Sequence, residues 1–173
     1  MPVSTLPQPA LSTGVAGTGP AFGAYMTNGS ANQTLASATN TKVILDTEEF
    51  DTASCFNNTG ATVGGIPAYA FLPNVAGYYQ VSGCANITYI SSNPQNIQAS
   101  IYKNGSEFKT SKLGLNTAAV IALIGGLTVS SIIYLNGTTD YVELYARQSP
   151  SSDGRIVFGQ ASTYFSAVLV RAA

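Results

Sequence analysis

Four carboxylates, Asp46, Glu48, Glu49 and Asp51, fall within six consecutive residues. Clustered carboxylate oxygens are the natural ligands of calcium. This stretch lacks the loop of alternating ligands with a turn glycine that such a site uses. Strand alternation would send Asp46 and Glu48 to one face and Glu49 and Asp51 to the other. The cluster therefore reads as a solvated strand edge, and no metal site is assigned. Seven tyrosines, Tyr78, Tyr79, Tyr89, Tyr102, Tyr134, Tyr141 and Tyr145, could stack on the apolar faces of sugars. Tyrosine serves strands and subunit interfaces equally well. Both uses stay open, and spacing alone picks out no sugar-binding cluster.

Other chemistry is thin. The chain has no histidine, which removes Ser-His-Asp and Cys-His catalysis and the commonest metal ligand. No G-x-S-x-G elbow occurs, and a serine nucleophile would have no obvious base. No catalytic residue and no cofactor are assigned, and an enzyme is not expected. Cys55 and Cys84 are the whole thiol inventory. Two cysteines make no disulfide framework, and both are expected as free, buried thiols. Asn-x-Ser/Thr sequons stand at Asn28, Asn32, Asn57, Asn86, Asn104 and Asn136. A chain this rich in Asn, Ser and Thr supplies such triplets by chance, and none is expected to carry a glycan.

The elements that would position these residues are strands. Asn104-Gly105 joins IQASIYK to SEFKTSK, and Asn136-Gly137 joins VSSIIYL to TTDYVELYA. Asn-Gly takes the positive φ angles of a tight turn, so both pairs predict hairpins. Between Thr139 and Arg147, Val142, Leu144 and Ala146 point one way, and Tyr141, Glu143, Tyr145 and Arg147 the other. The final run, Tyr164 to Val170, is apolar on both faces: Phe165, Ala167 and Leu169 alternate with Tyr164, Ser166, Val168 and Val170. Such a strand needs a second burial partner, which a subunit interface would supply.

Length and composition agree. A chain of 173 residues makes one domain, or one domain with an arm, and can bury its own core. Only 9% of residues are charged, against roughly 25% in ordinary soluble domains. The net charge is −1 with no basic stripe, so nucleic-acid binding is not expected. Residues 1–19, rich in proline, glycine and small residues, predict an extended arm, leaving 20–173 as the globular domain. The opening MPVSTLPQPALSTG lacks a basic start and an apolar run, so conventional export is not expected. The apolar run Ala118 to Leu127 is shorter than the ~20 residues of a membrane span. It reads as core or interface.

Several of these residues together resemble the globular head of complement component 1q, within the tumour-necrosis-factor-like jelly-roll superfamily. Pro20, Phe22, Ala24 and Tyr25 match the aromatic first strand, and Phe50 the next aromatic. Phe71, Gly77 and Tyr79 match the central signature, Asn136 to Leu144 the late turn and strand, and Tyr164 and Phe165 the closing aromatic pair. Val81 and Gly83 stand where the family continues with aromatics. Asn57 to Tyr69 is longer and richer in glycine than usual, and no collagen stalk precedes the domain. The resemblance implies an all-β, ten-stranded antiparallel jelly-roll sandwich that assembles as a homotrimer.

The style of TEEFDT, SIYKNG, YLNGTTDYVE and TYFSAVLV is similar to bacteriophage and bacterial members. The expected function is therefore a trimeric bacteriophage virion protein, a head fibre or capsid decoration. Residues 1–19 would anchor it to a capsid or tail protein, and loops could meet host-surface carbohydrate. Its expected place is the particle surface after synthesis in the host cytoplasm, without membrane insertion. The alternatives are a tail-fibre receptor-binding tip and a bacterial lectin-like trimeric adhesin.

Overall fold

Alternating apolar residues and turn clusters fold the described residues into strands alone, apart from one short 3-10 turn at Asn28–Ser30. The computed structural model describes residues 19–89, 96–114, 124–149 and 154–173. The proposed arm, all but Gly19, lies outside the described residues. So does most of the Ala118 to Leu127 run.

The first sheet is built on the long strand β7, Gly77–Thr88. One edge of β7 pairs along its whole length with the strand Ile124–Leu135; its other edge is shared by Tyr164–Ala172 and the short Gly154–Ile156. Beyond these lie Ala21–Tyr25 and Thr47–Asp51 on one side and Gln33–Leu35 on the other. The second sheet runs from Ser106–Gly114 through Asn96–Lys103 to Val142–Ser149, and then to the short segments Ala70–Phe71, Phe56–Asn57 and Thr41–Lys42. In chain order the strands are β1 (Ala21–Tyr25), β2 (Gln33–Leu35), β3 (Thr41–Lys42), β4 (Thr47–Asp51), β5 (Phe56–Asn57), β6 (Ala70–Phe71), β7, β8 (Asn96–Lys103), β9 (Ser106–Gly114), β10 (Ile124–Leu135), β11 (Val142–Ser149), β12 (Gly154–Ile156) and β13 (Tyr164–Ala172). Every pairing between them is antiparallel. Two such sheets packed face to face are a jelly-roll sandwich.

The matched aromatics weld the sheets together. Phe22 stacks on Phe56 and Phe71 with ring centroids 4.5 and 4.7 Å apart, and meets Phe165 edge-on at 5.4 Å. Phe71 meets Tyr79 edge-on at 5.7 Å. The Tyr79 hydroxyl donates to the Val75 carbonyl at 2.7 Å, so this buried phenol leaves no polar atom orphaned. The departure at Gly83 has a packing reason. A Cβ there would lie 2.7 Å from Leu144 Cδ1 and 3.0 Å from Phe165 Cδ2. Leu144 and Phe165 have filled the space an aromatic would need. Phe50 does not join the cluster: it is 49% exposed and lies over Gly23, outside the sandwich. Phe56 is the aromatic that packs on Phe22 instead.

One expected hairpin forms and the other does not. Asn104 (φ 52°) and Gly105 (φ 75°) make the two-residue turn between β8 and β9. Asn136-Gly137 carries the chain from one sheet to the other, because β10 pairs with β7 while β11 pairs with β8. Six residues separate β10 from β11, and the Asn136 side chain gathers them. Its Oδ1 accepts N–H groups from Thr138, Thr139 and Asp140. Asp140 then ties this corner to the β8–β9 turn, accepting from the Asn104 amide at 2.7 Å and pairing with Lys103 at 3.0 Å. Burial pushes the Asp140 carboxyl up, but the bonds from Asn104 and Lys103, the Lys103 charge and the Asn136 N–H together hold it below its ordinary 3.8.

A folded-state value below the unfolded one means stability that is present above the ordinary carboxylate range and lost as pH falls through the folded value. Asp140→Asn is expected to cost about 1 kcal/mol at neutral pH, after allowance for solvent screening of a surface pair. Thermal melts should show the variant losing less stability than the parent as pH drops below 3.8. Parallel losses would assign Asp140 no such role.

Candidate functional site

The outer face of the first sheet is built by residues that alternate with its core. On β7, Tyr79, Val81 and Gly83 point inward, so Tyr78, Gln80 and Ser82 point out. Cross-strand register sets Tyr134 beside Tyr78, Ile132 beside Gln80 and Ser130 beside Ser82. On the other side of β7, Ser166 pairs with Ser82 and Val168 with Gln80. Ile132 and Val170 are each 58% exposed, and Val168 is 48% exposed. Tyr78 and Tyr134 meet edge-on at 5.5 Å and are both partly exposed, and the Lys103 ammonium lies 6.0 Å from the Tyr134 ring centroid. In the middle lies a small polar seam, where the Gln80 amide donates to Ser130 Oγ at 2.6 Å and Ser130 lies 3.0 Å from Ser82 Oγ.

Charge is kept to the margins of this face, at Glu48 and Glu49 on β4 and Arg155 on β12. Strands β7 and β10 contain no ionisable acid or base among Asp, Glu, Lys and Arg, and β13 contains only Arg171 near its end. The two faces predicted for the last strand are as expected: Phe165 and Ala167 enter the core while Tyr164, Val168 and Val170 stay outside.

The opposite outer face, on the second sheet, carries charge and hydrogen bonds. Lys42 on β3 forms an ion pair with Glu143 on β11 and donates to the Ala68 carbonyl at 3.1 Å. Tyr102 and Tyr145 stack at 4.0 Å beside this pair. Burial first, then the charge of Glu143, pushes the Tyr145 hydroxyl up to about 12, so it stays protonated at any physiological pH. Gln98, Ser100, Glu107 and Thr110 form a continuous hydrogen-bonded run alongside. Val142, Leu144 and Ala146 enter the core as alternation requires. Glu143, expected to be exposed or at an interface, is instead almost fully buried under neighbouring side chains.

The acidic stretch is dispersed. Asp46 accepts from the Thr27 N–H at 2.6 Å, the Thr27 hydroxyl at 2.8 Å and the Asn28 N–H at 2.8 Å. Asp51 accepts from the Ala53 and Phe56 N–H groups. Both carboxylates are thus used to shape turns. The predicted division of the four between two faces fails, because a bulge opposite Gly23 and Ala24 skips Glu49, and Glu48, Glu49 and Phe50 are all exposed. Among the described residues no group of three His, Cys, Asp or Glu gathers.

The seven tyrosines also separate. Tyr79 and Tyr89 are core, Tyr78 and Tyr134 lie on the apolar face, Tyr102 and Tyr145 lie on the charged one, and Tyr141 ends the β10–β11 corner with its N–H on Asn104 Oδ1. Both cysteines are free and buried. Of the sequons, Asn86 lies in β7, Asn104 and Asn136 serve turns, and Asn57 is buried with its amide turned inward. No described helix is long and apolar enough to cross a membrane.

No family model and no curated protein matches the sequence. Solved structures do match the fold. Eiger TNF from S. frugiperda superposes with a TM-score of 0.58 at 11% identity, over 90% of this chain and 95% of that one. Murine APRIL at pH 8.0 gives 0.58 at 8% identity, over 87% and 98%. The fold of this chain is the tumour-necrosis-factor-like antiparallel jelly roll.

Proposed function

We propose that this chain is a homotrimeric structural protein of a bacteriophage particle, a head fibre or capsid decoration. The outer face of the first sheet would be its subunit interface, and residues 1–19 its anchor. The observation that supports the assembly is the exposed apolar stretch around Ile132 and Val168, on strands whose one charged residue is Arg171. Large contiguous apolar patches on soluble proteins are characteristically interaction sites. Aromatic residues with depleted charge are the composition of an interface core. The bacteriophage placement is supported by the sequence resemblance and by the scarcity of acid–base and metal-binding groups, which suits a structural role better than an enzyme.

Three identical arms on one trimer would strengthen attachment without new contacts. Once the first arm docks, the others bind intramolecularly, so a weak single contact becomes a tight triple one. Gold-labelled antibody imaging of intact particles tests the placement. Label over the head supports a fibre or decoration. Label at the tail moves the reading to a receptor-binding tip. Label on cells alone would end the virion reading in favour of an adhesin.

A further inference from the structure

The segment Asn57 to Tyr69, longer than its counterparts in the resembled family, borders an open surface cavity of about 340 Å³. Its lining includes Ser54, Phe56, Asn58, Thr59, Val63 and Ile66. We propose that this cavity binds one neutral hexose unit.

The cavity is held open in advance. Val63 and Ile66 exchange two backbone hydrogen bonds, of 3.0 and 2.9 Å, across Gly64 and Gly65, which take φ of 57° and 87°. The buried Asn57 amide braces this small hairpin from below, donating to the carbonyls of Ala61, Ile66 and Pro67. Asn57 Oδ1 in turn accepts from the Thr59 N–H and hydroxyl. A ligand entering here need not order the loop, which removes one cost of binding.

The lining selects the ligand class. No lining residue carries a charge, so an anionic or cationic ligand would enter without a counter-charge. Val63 and Ile66 offer apolar surface, while Phe56 lines the space at 6% exposure with one ring face on Phe22. Ser54 and Asn58, exposed and half-buried, line the same space and bring a neutral hydroxyl and a neutral amide to it. Ser54 is held at φ 51°, an uncommon backbone for serine. Apolar walls with a few neutral donors and acceptors complement a sugar ring, whose faces are C–H and whose rim is hydroxyl. The volume lies at the lower end of ligand pockets, about 300–1,000 Å³, which favours a single ring over a peptide. The cavity belongs to the β4–β5 and β5–β6 connections, and none of its residues lies on the apolar face of the first sheet. Assembly through that face would leave three such cavities available at once.

The inference deepens the glycan-contact part of the reading above and rests on it only for the source of the sugar. It is tested on the full chain without any particle. Backbone amide NMR is recorded while methyl glycosides of glucose, galactose and N-acetylglucosamine are added, with sialic acid and galactose 6-sulfate as charged controls. At least one neutral glycoside is expected to move the amides of Ser54, Asn58, Thr59 and Gly64, and the charged controls to leave them still. Asn58→Ala should weaken that binding about fivefold, and Ser54→Ala with Asn58→Ala about 25-fold, with the thermal midpoint retained. Silence from all three neutral sugars at saturation would overturn the proposal. So would equal binding by the charged controls, shifts confined to another surface, or full affinity in the double variant. None of these results changes the particle imaging or the solution mass, so the two readings fail separately.

Discussion

Ile132→Glu is expected to convert the protein from three chains to one without unfolding it. The parent should scatter light as three times the 17.9 kDa chain. Ile132 sits in the middle of β10 with its side chain 58% exposed, so a glutamate there meets water in the single chain. In the assembly the same carboxylate would be enclosed by the apolar surface of a neighbour. Taking an unpaired ion out of water costs several kcal/mol even after relaxation. Three-fold symmetry repeats that cost in every subunit. The lost apolar contact adds about 1.5–3 kcal/mol per fully buried isoleucine. Together these exceed what a single-residue change at a tolerant surface would do. Lys112→Glu, on the charged outer face of the second sheet, is the control and should leave the mass unchanged. A parent of one chain, or an Ile132→Glu protein that keeps the parental mass, would remove this face from the assembly. A parent of two chains would keep the face and discard the three-fold axis.

The strands and their inward faces were legible because alternation is a direct consequence of the pleat. Val142, Leu144 and Ala146 could be assigned from spacing alone, and so could the doubly apolar β13. Turn chemistry was legible at Asn104-Gly105, where two residues suffice to reverse the chain. It misled at Asn136-Gly137, because the same dipeptide also starts a longer corner between sheets. What distinguishes the two is Asp140, which holds the corner against Lys103 and Asn104 from a different hairpin. No local pattern reports a contact of that kind.

The surfaces were less legible than the core. The first sheet's apolar face was foreseen from β13, but β7 and β10 contribute to it through register, which a single strand does not reveal. The Asp46 to Asp51 stretch looked like one cluster because the residues are close in sequence. A bulge and two sets of turn N–H groups pull them apart. Phe50, matched to the family's second aromatic, lies outside the sandwich beside that bulge, and Phe56 packs on Phe22 in its place. The cavity beside residues 58–66 was foreshadowed only as an unusually long, glycine-rich loop.

Lys42→Met is expected to be the most damaging single change on the second sheet, at about 3 kcal/mol, and the damage should be reversible by a second substitution. Glu143 is 3% exposed and Lys42 27% exposed, so the two partners are not equivalent. Removing the lysine strands a carboxylate beneath Tyr102 and Tyr145. One of its oxygens, Oε2, already lacks a hydrogen-bond partner. Breaking a buried pair from the side that leaves the buried ion costs roughly 3–5 kcal/mol, and the partial exposure of Lys42 places the expectation at the lower bound. Glu143→Leu should cost less, because the Lys42 ammonium keeps the Ala68 carbonyl and can reach water. The double variant, Lys42→Met with Glu143→Leu, replaces both ions by apolar side chains on a face already rich in tyrosine. Such replacements are often neutral or stabilising. Urea unfolding of the parent, both single variants and the double variant closes the cycle. A double variant near the parent, with Lys42→Met well below both, is the expected order. Equal losses for the two single variants, simply adding in the double, would mean that the ion pair contributes as an exposed one does and that Glu143 is hydrated in solution.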